Sequence, residues 1–302
     1  MTDDDLQQIT KLKPSKIVKI MKDPEQSAKA VHLVYTHDEP ETGIVRKRYG
    51  KTFHYYREGQ RIKDKSEIAR INKLVIPPAW ENVWICSLEN GHLQATGIDA
   101  KHRKQYRYHP LWNALRNHTK FYRMLQFGYA LPKIRLQLEK DLSSRNLDKR
   151  KVLAVVVSLM ERTNIRIGNS VYEKLYGSFG LTTLKDKHVN ISGQKIAFSF
   201  KGKKGVYHDI ELKNLKLANA VKNCRDIPGK ELFQFYDADG QRHSVDSGMV
   251  NDYIKEISGE DFTAKDFRTW SGTVNALIAF KEIGFAESNK EYKAKVKQAL
   301  ET

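Results

Sequence analysis

The chain has 302 residues, 40% of them hydrophobic, and carries 53 Lys and Arg against 36 Asp and Glu, a net charge of +17. That length suits about two domains, and the longest apolar run, Val152 to Met160 broken by Ser158, is too short to span a bilayer. The positive excess points to a polyanion, because counterions released from a phosphate backbone drive such binding, although charge alone does not separate DNA from RNA.

The N-terminal stretch is acidic and then mixed, without the basic start and apolar segment of a secretory signal. Two distant cysteines, Cys86 and Cys224, suit a reducing interior, so a cytoplasmic location is expected. The ten histidines form no HExxH or Cys/His cluster, and no metal site is expected.

In chain order, Ala30 to Tyr35 and Ile44 to Tyr56 read as strands around a turn-prone stretch from His37 to Gly43. Ser66 and Glu67 open a short helix with Ile68, Ile71 and Val75 on one side, ended by Pro77-Pro78. Val83–Leu88 and His92–Thr96 flank Asn90-Gly91, a hairpin signal. The strand-like Gln105 to Tyr108 follows.

After Pro110 the pattern turns helical. Leu111 to Arg145 reads as two or three helices with a boundary at Pro132, Val152 to Glu161 as a buried helix, and Ser170 to Tyr176 as another. Leu181–Leu184, Val189–Ile191, Ile196–Phe200 and Val206–Leu212 read as a small antiparallel sheet. Helices resume at Leu215–Asn223, Gly248–Ile257 and Ala264–Ile283. The expected fold class is α+β: a β-rich domain over 1–110 and a mainly helical domain with a small sheet over 111–302.

Residues 101–150 hold 13 Lys and Arg against three acids. Within Asp99 to Tyr108, Lys101, Arg103 and Lys104 precede Gln105, Tyr106 and Tyr108. Strand alternation puts the two tyrosines on one face and Arg107 on the other. Cations of this kind neutralise phosphates, and Gln and Tyr can hydrogen-bond phosphates or base edges. A charged edge strand guarded against aggregation fits the composition equally. Gly50-Lys51-Thr52 lacks the first glycine of a phosphate-binding loop, since position 45 is Val45, so no nucleotide site is expected.

The Asp99–Tyr108 segment resembles the DNA-contacting strand of poxvirus and bacterial type IB DNA topoisomerases. Ile76-Pro77-Pro78-Ala79-Trp80 and Leu93-Gln94-Ala95-Thr96-Gly97 are similar to bacterial members. Three downstream segments match in order: Thr163 to Asn169, Phe198 to Gly205, and Lys265 to Thr273. The resemblance covers about residues 40–290 and implies the tyrosine recombinase/topoisomerase IB fold. It makes Arg166 and Arg268 ligands of the scissile phosphate, Lys265 its support, and Lys203 the general acid toward the leaving 5′-oxygen. Lys201 and Lys204 are alternatives, being neighbours in the same turn. Tyrosine recombinases typically show HxxR where this chain has Lys265 and Arg268.

The implied reaction is DNA relaxation through a 3′-phosphotyrosyl intermediate, with no cofactor, by a monomer that clamps duplex DNA with its N-terminal domain. In the family, the tyrosine and a His or Asn phosphate ligand lie well downstream of KxxR. Only Tyr292 follows Arg268 here, in surroundings that do not match, so the expectation is a chain that holds the cationic pocket without its nucleophile. A non-enzymatic duplex-binding relative, a tyrosine recombinase and an RNA binder are the other readings.

Overall fold

The computed structural model describes Ile17, Ile20, Met21, 23–50 and 52–301; the N-terminal stretch read for a leader and Lys51 lie outside these residues. The chain divides into two compact units, Met1–Arg123 and Met124–Thr302. The division falls inside a helix, Pro110–Leu142, whose first residue is where the sequence places the boundary.

The first unit is a six-stranded antiparallel sheet. Helix α1 (Pro24–Lys29) precedes β1 (Gly43–Tyr49), β2 (Thr52–Arg57) and β3 (Gln60–Arg61); helix α2 (Lys65–Lys73) and then β4 (Glu81–Cys86), β5 (Leu93–Ile98) and β6 (Lys104–Tyr108) follow. The spatial order is β3-β2-β1-β4-β5-β6. One face buries Ile44, Val83, Ile85 and Ala95 against Ile71 of α2. Asp64, rather than Ser66, caps α2, accepting from the Glu67 amide at 2.9 Å.

Three expectations need correction here. Ala30–Tyr35 is not a strand: only Val34 forms an isolated bridge, to Gly91, while Val31 and Leu33 are buried with Trp112 and Leu115. Their apolar side chains serve packing instead of a ladder. Val75 does not extend the apolar face of α2, because the helix ends at Lys73 and Val75 sits at φ 49, 71% exposed. The β4–β5 connection runs over 87–92 with neither Asn90 nor Gly91 at positive φ, so the hairpin forms without the tight turn that dipeptide suggested.

Arg46 is a structural residue that composition disguises as a surface cation. Its guanidinium donates to the carbonyls of Ile76 (3.3 Å), Pro77 (3.1 Å) and Trp80 (2.7 Å) and lies 4.2 Å from the Phe53 ring centroid. Proline and turn geometry leave those carbonyls without ladder partners, and a charged donor satisfies them. Arg46→Ala is expected to destabilise this unit by about 2 kcal/mol, since a charged hydrogen bond contributes about 1.5–3 and this group is half-exposed. Urea unfolding followed by tryptophan fluorescence checks this, because Trp80, Trp84 and Trp112 all lie in the first unit. An unchanged midpoint would refute it.

The second unit is mainly helical. Helix α3 (Pro110–Leu142) enters it, followed by α4 (Lys149–Thr163), α5 (Ser170–Tyr176), β7 (Val189–Ser192), β8 (Lys195–Lys201) and β9 (Tyr207–Lys213). Then come α6 (Leu215–Arg225), the hairpin β10 (Gln234–Tyr236) and β11 (Arg242–Ser244), α7 (Ser247–Ser258), α8 (Ala264–Ile283) and α9 (Asn289–Glu301). Every residue from Val152 to Met160 is buried, so α4 is the central helix rather than an amphipathic one. The sheet is β7-β8-β9, antiparallel.

Pro132 does not divide α3. Phe127, Leu131, Ile134 and Leu138 recur at three- and four-residue spacing and are all buried, so packing on one stripe carries the helix through the proline. Leu181–Thr183 is a 3₁₀ turn, not a strand, and its backbone is committed to the Arg166 segment described below. The β10–β11 hairpin was not anticipated from sequence.

Candidate active site and nucleic-acid interface

Two clusters draw on the residues singled out above. In the second unit, Asn164 ends α4 in the left-handed conformation (φ 56), and an extended segment follows. Alternation sends Ile165 into the core and Arg166 outward. The side chain of Arg166 is exposed despite its apolar neighbours Ile165 and Ile167.

Its backbone is tightly held. The amides of Leu181 and Thr182 donate to the carbonyls of Arg166 (2.9 Å) and Ile167 (2.7 Å), and Thr182 Oγ1 also donates to Ile167 (2.9 Å). Gly168 and Gly180 face each other where these segments meet. A Cβ on Gly180 would stand 2.5 Å from the Arg166 carbonyl oxygen and 2.6 Å from Gly168 Cα. Two residues before Leu181, the Phe179 amide donates to the Lys201 carbonyl at 2.8 Å. Residues 179–182 therefore bridge the end of β8 and the Arg166 segment.

That turn is a short 3₁₀ segment, Lys203–Gly205, in which Lys204 takes φ 63 and Gly205 φ 81. Gly202 is buried beneath the His208 ring, which lies tilted against Phe200 with centroids 5.3 Å apart. Lys203 and Lys204 are exposed, whereas Lys201 is half-buried with its Cε beneath Gly205.

Arg268 lies in the second turn of α8, with Lys265 three residues earlier on the same side. A guanidinium nitrogen of Arg268 donates to the Asn164 carbonyl. Burial, and then the nearby Arg166 charge, pull the Arg268 pKa below its usual value. The bond to Asn164 holds the Arg268 guanidinium against the segment that carries Arg166. The acid between Lys265 and Arg268 does not intervene: Asp266 Oδ2 accepts from the Thr263 amide (2.8 Å) and hydroxyl (2.9 Å), closing the helix cap. Among the described residues, none of Arg166, Lys203, Lys265 and Arg268 has a carboxylate partner. Four cations without counter-charge are suited to an oxyanion.

In the first unit, Tyr106 and Tyr108 stack at 5.9 Å on one face of β6, 47% and 39% exposed. Arg107 points the other way, over Trp80 and to the Val75 carbonyl (3.0 Å). The strand's cations are engaged within the protein. Lys104 pairs with Asp38 at 2.5 Å, raising its own pKa, and Thr96 donates to the same carboxylate at 3.0 Å. Asp99 accepts from the Arg103 guanidinium (2.7 and 2.9 Å), Gln105 Nε2 (2.9 Å) and the Lys101 amide (2.9 Å). The Arg103 side chain, before the other donors, holds the Asp99 carboxyl down to about 2. Asp38 is 66 residues from Lys104 in sequence, and no local pattern flags it. Asp99 stands in the motif itself, and its acceptor role could be read from the donors that follow it.

Residues 103–302 match the family model for the catalytic core of eukaryotic DNA topoisomerase I, and 52–99 match that for the N-terminal domain of bacterial DNA topoisomerase IB. The DNA topoisomerase 1B of Acanthamoeba polyphaga mimivirus is 33% identical over 268 residues, covering 86% of this chain and 80% of the relative. The chain belongs to the type IB DNA topoisomerase family. The DNA topoisomerase 1B of vaccinia virus (strain Copenhagen) is 27% identical over 202 residues, covering 67% of this chain but 60% of that relative. A solved XerH site-specific recombinase bound to its difH substrate is a slight likeness, with TM-score 0.33 and 16% identity over 48% of this chain and 41% of that one. Family membership makes the chain an isomerase of the DNA-binding, type IB kind, with the β-rich first unit and helical second unit that the motifs implied. Among the described residues, no helix is long and apolar enough to cross a membrane.

Proposed function

We propose that the pocket formed by Arg166, Arg268, Lys265 and Lys203 binds the scissile phosphate of duplex DNA and supports its transesterification to a tyrosine. The observation that carries this reading is the Arg268 guanidinium donating to the carbonyl of Asn164, two residues from Arg166, with no carboxylate partner on either arginine among the described residues. In the step, the tyrosine oxygen bonds to phosphorus as the bond to the 5′-oxygen breaks. The guanidinium groups stabilise charge on the non-bridging oxygens, and Lys203 passes its proton to the departing 5′-oxygen. Lys204, equally exposed, is the alternative donor. The phosphotyrosyl bond conserves the energy needed for resealing, so no nucleoside triphosphate is called for.

Under the same proposal, the first unit faces the duplex through Lys101, Arg103, Lys104, Gln105, Tyr106 and Tyr108. The protein acts as a monomer that clamps DNA in the cytoplasm. Tyr292, 58% exposed on α9, is not the nucleophile.

The test is binding and adduct formation with a labelled duplex. The protein should bind with affinity falling steeply as salt rises, and Tyr292→Phe should change neither binding nor any covalent adduct. Salt-independent binding would refute the phosphate reading. An adduct abolished by Tyr292→Phe would refute the assignment of that tyrosine.

A further inference from the structure

Cross-strand register lines up Arg61, Tyr56, Val45, Trp84, Thr96 and Tyr106 in one row across all six strands, on one face of the first-unit sheet. The two ends of that face differ in charge balance. At β6, Lys104 meets Asp38 and Arg103 meets Asp99. At the other end, residues 43–61 hold Arg46, Lys47, Arg48, Lys51, Arg57 and Arg61 against a single acid, Glu58. Arg57 pairs with Glu67, and Arg46 is committed to loop carbonyls. Among the described residues, Lys47 and Arg61, which share the face of Val45 and Tyr56, have no carboxylate partner, while Arg48 lies over Phe53 on the opposite face.

Aromatic rings interleave with these cations. Lys47 Nζ stands 4.8 Å from the Tyr56 ring centroid, and Tyr49, 59% exposed, stacks on His54 at 4.6 Å. The middle of the face is closed and acidic. Trp84 is buried there with its Nε1 donating to the Glu39 carbonyl (2.8 Å), and the Glu39 and Glu41 side chains are exposed. The uncompensated positive charge of this face therefore sits on the β1–β2 hairpin and the adjoining edge.

We propose that the β1–β2 hairpin, with Arg61 of β3, is a second phosphate-contacting element for duplex DNA and supplies the salt-sensitive part of this unit's affinity. It rests on the duplex-DNA reading above and adds a contact which that reading does not contain. Strands about 4.8 Å apart place β1 about 14 Å from β6. That is comparable with the ~12 Å width of a major groove. A duplex offering its groove to Tyr106 and Tyr108 leaves a bordering phosphate ridge near Lys47. The β6 cations, already matched by Asp38 and Asp99, release few counterions on binding and act by hydrogen bonding instead.

Fluorescence anisotropy of a labelled DNA duplex, titrated from about 50 to 200 mM salt, tests this. The double variant Lys47→Gln/Arg61→Gln should lower the slope of log K against log salt by about 1.8, at about 0.9 per lost phosphate contact. Lys195→Gln, at an exposed lysine paired with Glu211 (2.5 Å) and outside both proposed contact sets, should leave it unchanged, and Lys47→Arg/Arg61→Lys should keep the wild-type slope, which separates lost charge from lost fold. An unaltered slope in Lys47→Gln/Arg61→Gln, or an equal drop in Lys195→Gln, overturns the proposal. A wild-type protein with no salt-dependent duplex binding overturns the underlying reading as well.

Discussion

A nicked duplex ending in a 3′-phosphate will bind this protein at least about tenfold more tightly than the same nick ending in a 3′-hydroxyl, and Arg268→Ala will erase the preference. A hydrogen bond from a charged donor contributes about 1.5–3 kcal/mol, and about 1.4 kcal/mol is a factor of ten. The guanidinium of Arg268 is half-buried, held to Asn164, and faces Arg166 with no acid to neutralise either. Its depressed pKa does not matter for charge at neutral pH, because an arginine stays protonated there. Arg166→Ala should have the same consequence. Competition binding with the two nicked duplexes decides the matter, and a preference that survives in both variants would sink the pocket assignment.

Gly180→Ala will disable the pocket without touching a charged residue. The glycine has an extended backbone (φ −154), so its own conformation is open to alanine. The obstacle is the space a methyl would need, already taken by the Arg166 carbonyl and by Gly168. These are backbone atoms, unable to swing aside as a side chain would, and the Arg166 segment must shift. Overpacking of this kind costs about 1–3 kcal/mol. For a unit of this size, the upper end corresponds to a melting temperature lower by about 6–12 °C. The 3′-phosphate preference should vanish even where the protein remains folded. Gly193→Ala is the control for binding: its positive φ (56) strains an alanine, but nothing lies within 4 Å of its would-be Cβ, so it should lose stability and keep the 3′-phosphate preference. Calorimetry and nick binding on the pair test the idea; equal nick binding by the two variants would show that the Gly168–Gly180 approach is not what positions Arg166.

Much of the helical unit was legible because its signals are local. The run from Val152 to Met160 has the density of a central helix, and Gly177 ends α5 as its position suggests. Pro132 misled because a proline's local cost is outweighed by a stripe of buried side chains whose partners are distant in sequence. Ala30–Tyr35 and Leu181–Leu184 carry strand-forming residues, but tertiary packing and the commitment to Arg166 overrode propensity. The order of the site motifs was readable, and the family follows from it. Their electrostatic state was not. Asp38 reaches Lys104 from another part of the chain, and Asp266 turns away from Arg268 because the helix cap claims it. Arg46 looks like one more surface cation until the carbonyls around it are seen.

The closeness of Arg166 and Arg268 also bears on how this protein can change by mutation. Two like charges held together without a counter-ion oppose folding, so the DNA-free protein carries a built-in repulsion that only an anion relieves. Neutralising Arg166, which leaves the Arg268 bond to the Asn164 carbonyl in place, should therefore be among the few substitutions that raise thermal stability while removing function. Selection for robustness alone would erode this pocket; only continued demand for phosphate chemistry keeps the pair in place.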